Sequence, residues 1–343
     1  MTSAPPPSKA SGYGEHQPDR RVRPTGSWRQ RTPKNLRSLL RESIGKSGSG
    51  TLLRFKVIET GYEDVNVHVV ASGGELLVKL FDRRRSLDEC RRYVANIELA
   101  LRAGVAHPQL RTGPSQASNL LELDDGKARS CVMDFVDAPS LMERGDDLSP
   151  SEESCLMKNV GRLSNYHSSP VPVLDTWSAL ALRAQVDRSP LSNSMVRRLA
   201  ERVATGFELL GVDDLPTSFV HADLVPTNIL CPGDGTIVIV DLGRAGELPR
   251  IHELSVLVAH TLGPKRSRNI QATIDRTLRM YQPFCSLTAI ERESIPMYTA
   301  AVSASCMVEA FRERQRGNMS SENAYWLSTG LHTTLAICSE YRI

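Results

Sequence analysis

The 343-residue sequence lacks several features that mark specialised classes of protein. No apolar run approaches the roughly 20 residues that a membrane-spanning helix needs. The start, MTSAPPPSKASGYGEHQPDRR, has no apolar stretch of the kind found in secretory signals, and none follows Arg20-Arg21 to suggest twin-arginine export. The seven cysteines are odd in number, scattered and without a C-x-x-C pair, which argues against a disulfide framework or structural zinc. These absences predict a protein of the reducing cytoplasm without a membrane span.

Positive charge is in excess only near the amino terminus. Residues 1–50 contain ten Lys or Arg against three Asp or Glu, a net charge of +7, so the rest of the chain carries −4 of the overall +3. Residues 1–34 are rich in Pro, Ser, Gly and Arg without periodicity, which predicts a disordered basic tail. A tether to an acidic partner is the alternative function of such a tail. No interleaved aromatic residues favour nucleic acid as the partner.

Residues 35–136 show the pattern of a small β-rich lobe. The stretch 35–44 places Leu36, Leu39, Leu40 and Ile44 at helical spacing. The segments TLLRFKVIET, VNVHVVAS and ELLVKLFD follow, separated by glycines, and predict an antiparallel meander. A helix with a capping box from Ser86 comes next, and then a second hairpin. The order is therefore β-β-β-α-β-β after the first short helix.

Residues 137–343 are mainly helical in pattern. Apolar stripes predict helices over 149–169, 194–211, 252–262, 267–282, 288–314 and 321–341. A short hairpin over 229–242 is embedded among them. We expect an α+β, bilobal protein with a basic tail (1–34), a small antiparallel N-lobe with one main helix (35–136) and a larger, mostly helical C-lobe (137–343).

The stretch FVHADLVPTNILCPGDGTIVIVDLG, residues 219–243, carries the strongest chemical signal. Asp223 and Asn228 precede the first strand of the short hairpin, and Asp241 follows its second strand, so the three side chains converge at one end. Carboxylate and carboxamide oxygens suit a hard cation such as Mg²⁺, and a further carboxylate can accept the proton of a hydroxyl group. The structural alternative is that these polar residues only cap turns.

The pattern H-x-D-x-x-x-x-N followed by D-x-G resembles the protein-kinase-like superfamily. The match is closest to its branch of aminoglycoside phosphotransferases and choline-kinase-type enzymes, and it extends over roughly residues 50–340. The resemblance implies a bilobal kinase-like fold that uses ATP and Mg²⁺. It implies that Asp223 is the base or orients the acceptor, and that Asn228 and Asp241 hold the metal. His221 is structural in such enzymes.

The resemblance also implies a set of nucleotide-binding residues. Lys79, in LLVKLF on the third strand, is expected to hold the α- and β-phosphates. Its partner is a helix glutamate; Glu89 is engaged in the capping box, so we expect Glu98. Further expected contacts come from a polar residue near the phosphate loop and from the connector between the lobes, namely Asn66, Met133, Asp134 and Val136. The phosphate loop itself contains only one glycine, Gly61.

Two departures from the family pattern argue against a protein kinase. Ala222 stands where protein kinases have the Arg that anchors a phosphorylated activation loop. Only about ten residues separate Asp241 from the next predicted helix, in which Glu253 is expected to brace the catalytic loop. No stretch is long enough to form a peptide platform. The sequence DLGRA also resembles sugar kinases that phosphorylate the lipopolysaccharide core, and His167 is expected only to pack.

These features favour an ATP-dependent kinase of a small hydroxyl-bearing molecule. The acceptor can be an antibiotic, as in a resistance enzyme, or an aminosugar, a nucleoside or a choline-like alcohol. A kinase of a protein or glycolipid and a silent pseudokinase that only binds are the alternatives. The sequence fixes neither the acceptor, nor ATP over GTP, nor the oligomeric state. Acids that could recognise a cationic acceptor are Asp175, Asp187, Asp213, Asp214 and Glu309.

Overall fold

The computed structural model describes residues 32–58, 64–114, 116, 118–166, 177–188, 191–262 and 269–342. The phosphate-loop residue Gly61, His167, Asp175 and most of the basic tail lie outside these residues. Within the described part, no helix is long and apolar enough to cross a membrane. The proposed domain boundaries after residues 34 and 136 stay predictions.

A five-stranded antiparallel sheet forms the amino-terminal part of the protein. Its strands follow the spatial order β1-β2-β3-β5-β4. They are β1 Leu52–Ile58, β2 Val65–Ala71, β3 Gly74–Leu80, β4 Leu121–Leu123 and β5 Ala128–Asp134. Helix α2, Leu87–Arg102, connects β3 to β4 and begins with the predicted capping box of Ser86 and Glu89. The predicted β-β-β-α-β-β order is therefore confirmed.

Helix α1, Leu36–Lys46, covers one face of this sheet. Because successive strand residues point to opposite faces, Val67 and Val69 of β2 lie on the α1 side, with Val78 of β3. These valines share a buried cluster with Leu40 of α1 and are fully excluded from solvent. Each buried side chain of this size contributes about 1.5–3 kcal/mol to folding. The alternate residues, including Lys79, are thereby directed to the other face, toward the helical part of the chain.

The carboxyl-terminal part consists mainly of helices. They are α3 Leu141–Arg144, α4 Pro150–Ser164, α5 Leu182–Arg188, α6 Ser194–Glu208, α7 Ile251–Val256, α8 Ile270–Tyr281, α9 Ala289–Gln315 and α10 Ser321–Tyr341. The two longest, α9 and α10, pack along each other. They approach closely at Gly330, where an added Cβ would lie only 2.8 Å from Met307 N. The predicted α+β fold with a smaller sheet lobe and a larger helical lobe is confirmed.

Two short strand pairs within the helical part position the candidate site. Strand β6, Thr217–Val220, pairs with β9, Gly246–Pro249, and β7, Ile229–Leu230, pairs with β8, Val238–Ile239. The second pair is the predicted hairpin. Strand β9 is too short, and too near a proline, to stand out in the sequence. Helix α7 begins ten residues after Asp241, as the sequence indicated.

Candidate active site

Asp223 and Asn228 lie in one tight loop between β6 and β7. The Asn228 Nδ2 donates to the backbone oxygen of Asp223 at 2.8 Å and to its carboxylate Oδ2 at 3.1 Å. The loop closes in a 3-10 turn over Pro226–Asn228, with the Asn228 N–H on the Val225 oxygen at 2.9 Å. The two side chains are therefore locked together, and the remaining amide oxygen of Asn228 points away from this bond.

Asp241 lies beside this loop because the hairpin returns to it. The Val240 N–H donates to the Asn228 oxygen at 3.0 Å, so the residue after Val240 emerges next to Asn228. Asp241 itself has a left-handed backbone, with φ of 66°. That conformation is unfavourable for a side chain larger than hydrogen and is found mainly at functional turns. The structure thus brings together Asp223, Asn228 and Asp241, as predicted.

His221 connects the loop to the hairpin. Its Nδ1 lies 3.2 Å from the Asp223 N–H, and its Nε2 lies 2.9 Å from the Val240 oxygen. This pair of partners defines the tautomer with the proton on Nε2, because Nδ1 must accept and Nε2 must donate. The ring is completely buried. Its place in the structure agrees with the structural role that the resemblance implied.

Glu253 of α7 binds the backbone of the loop that carries Asp223. Its Oε2 accepts the N–H groups of His221 at 2.7 Å and of Ala222 at 3.0 Å. Ala222 has φ of 64°, another left-handed residue, and its geometry depends on these two bonds. Burial raises the pKa of Glu253, although the His221 ring and the two N–H groups act in the opposite direction. The predicted bracing contact is present.

Lys79 crosses from the sheet to the hairpin. Its Nζ lies 3.2 Å from Asp241 Oδ1 and 3.6 Å from Asp64 Oδ2, and its side chain is 5% exposed. The Tyr93 ring of α2 lies under the ammonium group, 4.5 Å from ring centroid to Nζ. Burial works against the charge on Lys79, but the two carboxylates raise its pKa well above the usual value. Burial likewise opposes ionisation of Asp241, yet Lys79 lowers the pKa of that carboxyl to about 2.

Glu98 does not contact Lys79, and the predicted pair is therefore wrong for this structure. The Glu98 Oε1 accepts a hydrogen bond from Asn119 Nδ2 at 2.7 Å. The ion pairs of Lys79 with described residues are those with Asp64 and Asp241. Spacing along the helix identified the face of Glu98 but not the rotation of α2 against the sheet. Asp64 was missed because it precedes β2 at the end of a connection with no recognisable motif.

Helix α2 is anchored to the turn that follows Asp241. Asn96 Nδ2 donates to the backbone oxygens of Leu242 at 3.0 Å and Ala245 at 2.9 Å. The turn Leu242–Arg244 is a 3-10 helix. Gly243 fits against the Tyr93 ring, where an added Cβ would stand 3.4 Å from two ring carbons. No motif in the sequence indicates this anchor.

Arg244 places a cation beside the candidate base. Its Nη1 lies 3.7 Å from Asp223 Oδ1, and its side chain is 24% exposed. The arginine is the last residue of the 3-10 turn and follows Asp241 by three positions. The sequence motif DLGRA contains this arginine, but its contact with Asp223 was not foreseen.

The residues expected to contact the nucleotide lie on one face of the sheet and in the connector that follows it. Asn66 lies directly opposite Lys79, and Met133 of β5, which is 3% exposed, is on the same face. The N–H of Asp134 donates to Gln109, and its carboxylate pairs with Arg111. Among the described residues, no acceptor is found for the N–H of Val136, which lies two residues further on.

Two aromatic residues stack beside the connector. The His68 ring lies parallel to the Phe135 ring, with 3.7 Å between centroids and 12° between planes. His68 Nε2 also lies 2.8 Å from the carboxylate Oε2 of Glu75. The Phe135 N–H donates to the backbone oxygen of Glu75 at 3.2 Å. His68 is on the face of β2 opposite Val67, the same face that carries Asn66. Sequence reasoning missed this stack because its two members are 67 positions apart.

Two of the acids considered for a cationic acceptor, Glu309 and Asp187, have arginine partners. The Glu309 carboxylate is buried and lies 2.8 Å from Arg312 and 3.3 Å from Arg316. Asp187 lies 3.9 Å from Arg183 on the same helix. Asp213 and Asp214 are exposed in a short 3-10 turn. The carboxylates of Glu309 and Asp187 are therefore not reserved for an amine of the acceptor.

The family model of the phosphotransferase enzyme family matches residues 54–284 of the chain. This region contains Lys79, Asp223, Asn228 and Asp241. A curated relative, a homoserine kinase from Methylobacterium radiotolerans, is 24% identical over 213 residues, which are 59% of this chain and 62% of the relative. The chain thus aligns with less than two thirds of that relative's length.

Solved structures of kinases share the fold. An amicoumacin kinase in complex with AMP-PNP and Ca²⁺ superimposes with a TM-score of 0.64 at 12% identity, over 86% of this chain and 92% of that one. A choline kinase from Streptococcus pneumoniae gives a TM-score of 0.63 at 11% identity, over 89% and 99% of the two chains. At such identities the likeness shows the fold alone. It confirms the expected bilobal, kinase-like architecture.

Proposed function

The chain belongs to the phosphotransferase enzyme family, and we propose that it transfers the γ-phosphoryl group of ATP to a hydroxyl group of a small molecule. One observation carries the proposal. Asp223, Asn228 and Asp241 meet at the end of one hairpin, and Lys79 from the other lobe reaches Asp241 at 3.2 Å. A cation, a base candidate and two metal-binding oxygens at one point are the groups that phosphoryl transfer requires.

Asp241 and Asn228 are the proposed Mg²⁺ ligands. The Asp241 side chain is 44% exposed, and Asn228 uses its Nδ2 on Asp223, which leaves the amide oxygen for a metal. Within the described residues, no group of three or more His, Cys, Asp or Glu could hold a metal by itself. This donor set fits Mg²⁺, which is commonly bound by one or two carboxylates together with substrate phosphates. When bound, the ion neutralises negative charge on the phosphates.

Asp223 is the proposed base, and its neighbours fix its direction. The acceptor oxygen forms a bond to the γ-phosphorus while the bond from that phosphorus to the ADP oxygen breaks. The hydroxyl proton passes to Asp223, whose carboxylate is oriented by Asn228 Nδ2 at 3.1 Å. Lys79 neutralises charge on the phosphates, and Arg244 adds a second cation near the transferred group.

The connector is the proposed adenine site. The N–H groups of Asp134 and Phe135 are already engaged, whereas that of Val136 has no acceptor among the described residues. Val136 N–H can therefore donate to a ring nitrogen of adenine, with Met133 as an apolar wall beside it. Asn66 lies opposite Lys79 and is placed near the phosphates. The His68–Phe135 stack stands on the same sheet face as this site.

A small acceptor is favoured by the short segment after Asp241. Residues 242–250 form one 3-10 turn and strand β9, which pairs with β6. The whole segment is thus used for internal packing and offers no platform for a peptide. The relatives described above are a homoserine kinase, an amicoumacin kinase and a choline kinase. Amino acids, antibiotics and amino alcohols are accordingly the acceptor classes to test, and a resistance role is one possibility among them.

The test is a phosphoryl-transfer screen with the full chain. Radiolabelled ATP and Mg²⁺ are offered with a panel of antibiotics, homoserine, choline, aminosugars and nucleosides, and the product is identified by mass spectrometry. Asp223→Ala is the matched inactive variant, expected to lose about 10²–10⁴-fold in rate. Glu293→Ala removes an exposed acid of helix α9 in the same lobe and is expected to retain activity. Omission of Mg²⁺ is expected to abolish turnover.

Three results would each contradict a different part of the proposal. Phosphorylation of casein-like proteins without turnover of any small molecule would replace the acceptor class. Equal activity in wild type and Asp223→Ala would remove Asp223 from the mechanism. Tight ATP binding without any transfer to the panel or to protein would favour a binding module.

A further inference from the structure

Lys79 is a buried cation with two carboxylates nearby, and these two are not equivalent. Asp241 Oδ1 is 3.2 Å away on a side chain that is 44% exposed, whereas Asp64 Oδ2 is 3.6 Å away on one that is 2% exposed. A buried ammonium group is stable only when an opposite charge remains beside it. The carboxylate that pairs with Lys79 during catalysis must therefore be one that does not bind the metal or the nucleotide.

Asp241 is poorly suited to be that permanent partner. It is the proposed metal ligand, and a carboxylate that binds a metal cation forms a weaker ion pair with Lys79. Its side chain is 44% exposed and belongs to a residue with a left-handed backbone, two positions after the end of β8. Binding of a metal and a nucleotide would therefore withdraw part of the charge that Asp241 gives to Lys79.

Asp64 is held on one side and directed to Lys79 on the other. Its Oδ1 accepts the Asp82 N–H at 3.0 Å and Arg85 Nε at 2.9 Å. Its Oδ2 is buried and accepts no hydrogen bond from the described residues, while Lys79 Nζ lies 3.6 Å from it. One oxygen is thus fixed to the sheet lobe, and the other is reserved for the lysine. Neither interaction involves the helical lobe.

Glu98 is committed elsewhere, to Asn119 Nδ2 at 2.7 Å. Helix α2 instead supplies the Tyr93 ring, 4.5 Å from the lysine nitrogen, as an aromatic support. The charge partner and the aromatic support of Lys79 therefore come from different elements. This arrangement differs from a lysine paired with a helix glutamate.

We propose that Asp64 is the positioning residue that holds Lys79 in place for the nucleotide phosphates, the role that sequence reasoning gave to Glu98. The inference rests on the proposed function, because it assumes that Lys79 binds phosphates. Asp64 does not touch the reacting atoms. Its action is through Lys79, and an effect on nucleotides should require their phosphates.

The experiment measures binding of a non-hydrolysable ATP analogue, of ADP and of adenosine by calorimetry, so no acceptor is needed. Asp64→Asn is expected to weaken the two phosphate-bearing ligands about tenfold, within the range of couplings between contacting residues, and to leave adenosine affinity unchanged. Glu98→Gln tests the alternative partner and should change the affinity for none of the three ligands. Asp88→Asn removes an exposed carboxylate of the same lobe and serves as the matched control.

A double-mutant cycle with Lys79→Met guards against a general folding defect. If Asp64 acts through Lys79, Asp64→Asn causes no further loss of ATP-analogue affinity in the Lys79→Met background. The double variant also removes the Lys79 ammonium group, which Asp64→Asn alone leaves beside an uncharged side chain. Asp64→Glu should restore part of the affinity.

The outcomes separate this inference from the proposed function. A wild-type chain that binds none of the nucleotides contradicts the proposed function itself. Wild-type binding with an unchanged Asp64→Asn variant, or with an equal loss for adenosine, overturns only the role of Asp64. A loss in Glu98→Gln instead returns that role to Glu98.

Discussion

The side-chain amide of Asn96, in the middle of helix α2, donates to the backbone oxygen of Leu242, 3.0 Å away. The two residues belong to different lobes. Leu242 directly follows Asp241, so the helix of the small lobe holds the turn that carries the proposed metal ligand. The second bond of the same amide, to the Ala245 oxygen at 2.9 Å, closes the turn from its other end. Movement of α2 must therefore move Asp241, or break these bonds.

Asn96→Ala should loosen this turn. Both carbonyl groups lose the Asn96 donor, but the Leu242 oxygen keeps the Ala245 N–H at 3.2 Å, so only one of them loses a partner without another protein donor in its turn. An unsatisfied buried group costs about 1–3 kcal/mol, and we expect the free energy of unfolding to fall by about that amount and turnover to fall more than ATP affinity. Urea unfolding and steady-state kinetics measure the two effects. Arg91→Ala, on the exposed side of α2, is the control. Unchanged turnover in a folded Asn96→Ala variant would contradict the coupling.

Glu253→Ala should disorder the loop of Asp223. The N–H groups of His221 and Ala222 lose their shared acceptor, which costs on the order of 2–5 kcal/mol for two buried donors. Turnover should fall at least tenfold even where the variant is folded, because Asp223 is no longer held. Glu253→Gln keeps one acceptor oxygen and should be milder. Equal turnover in all three proteins would show that the loop holds its shape without this carboxylate.

Ala222 can be tested by its backbone conformation. With φ of 64°, Ala222 is in the left-handed region, where a Cβ costs about 1–2 kcal/mol. Ala222→Gly relieves this strain but loosens the unfolded chain, so stability should change by less than about 1 kcal/mol. Ala222→Val places a branched side chain there and should destabilise by about 2 kcal/mol or more. Chemical unfolding of the three proteins measures both changes. A stable valine variant would contradict the left-handed geometry.

Stability should decline in mild acid because burial disfavours the charged form of three histidines. Burial lowers the pKa of His107, His252 and His260 to about 4 in each case. In the unfolded chain the ordinary value is about 6.5, so the unfolded state binds protons first as the pH falls. The stabilisation is complete above pH 6.5 and is lost progressively toward pH 4. At pH 5 each histidine removes about 2 kcal/mol of stability.

Urea unfolding between pH 7.5 and 5 measures that decline. His260→Phe keeps a ring for the edge contact with Trp326 and removes one titrating group, so the slope with pH should decrease. Substitution of the exposed His332 by Gln is the control and should leave the slope unchanged. Identical slopes in wild type and His260→Phe would show that His260 is protonated in the folded protein or is accessible to water.

The parts of the site that the sequence predicted are those fixed by local spacing. Asp223 and Asn228 are five positions apart in one loop, and Asp241 follows a hairpin whose register sets its position. Periodicity also identified the buried side of α1 and the β-β-β-α-β-β order along the chain. In each case the interacting residues are near in sequence, or joined by a hairpin, so that few backbone geometries are possible.

The parts that were missed depend on how separate elements pack. Glu98 lies on the expected stretch of α2, but the helix is rotated so that Tyr93 and Asn96 face the site. Asp64 reaches Lys79 from a position at the edge of β2 that no motif marks. The stack of His68 on Phe135 joins a residue of β2 to the residue that follows β5, and these two strands are not neighbours. Helix spacing and strand alternation constrain none of these three contacts.

Helix α1 has a practical consequence for anyone who trims this protein. The family match begins at residue 54, eight positions after α1 ends at Lys46, so a fragment cut to that match would lack the helix. Val67, Val69 and Val78 would then form an uncovered apolar surface on a short sheet, a surface prone to self-association. Such a fragment should collect in the insoluble fraction on expression. A chain that starts at residue 32 retains helix α1 over the sheet and should stay in solution.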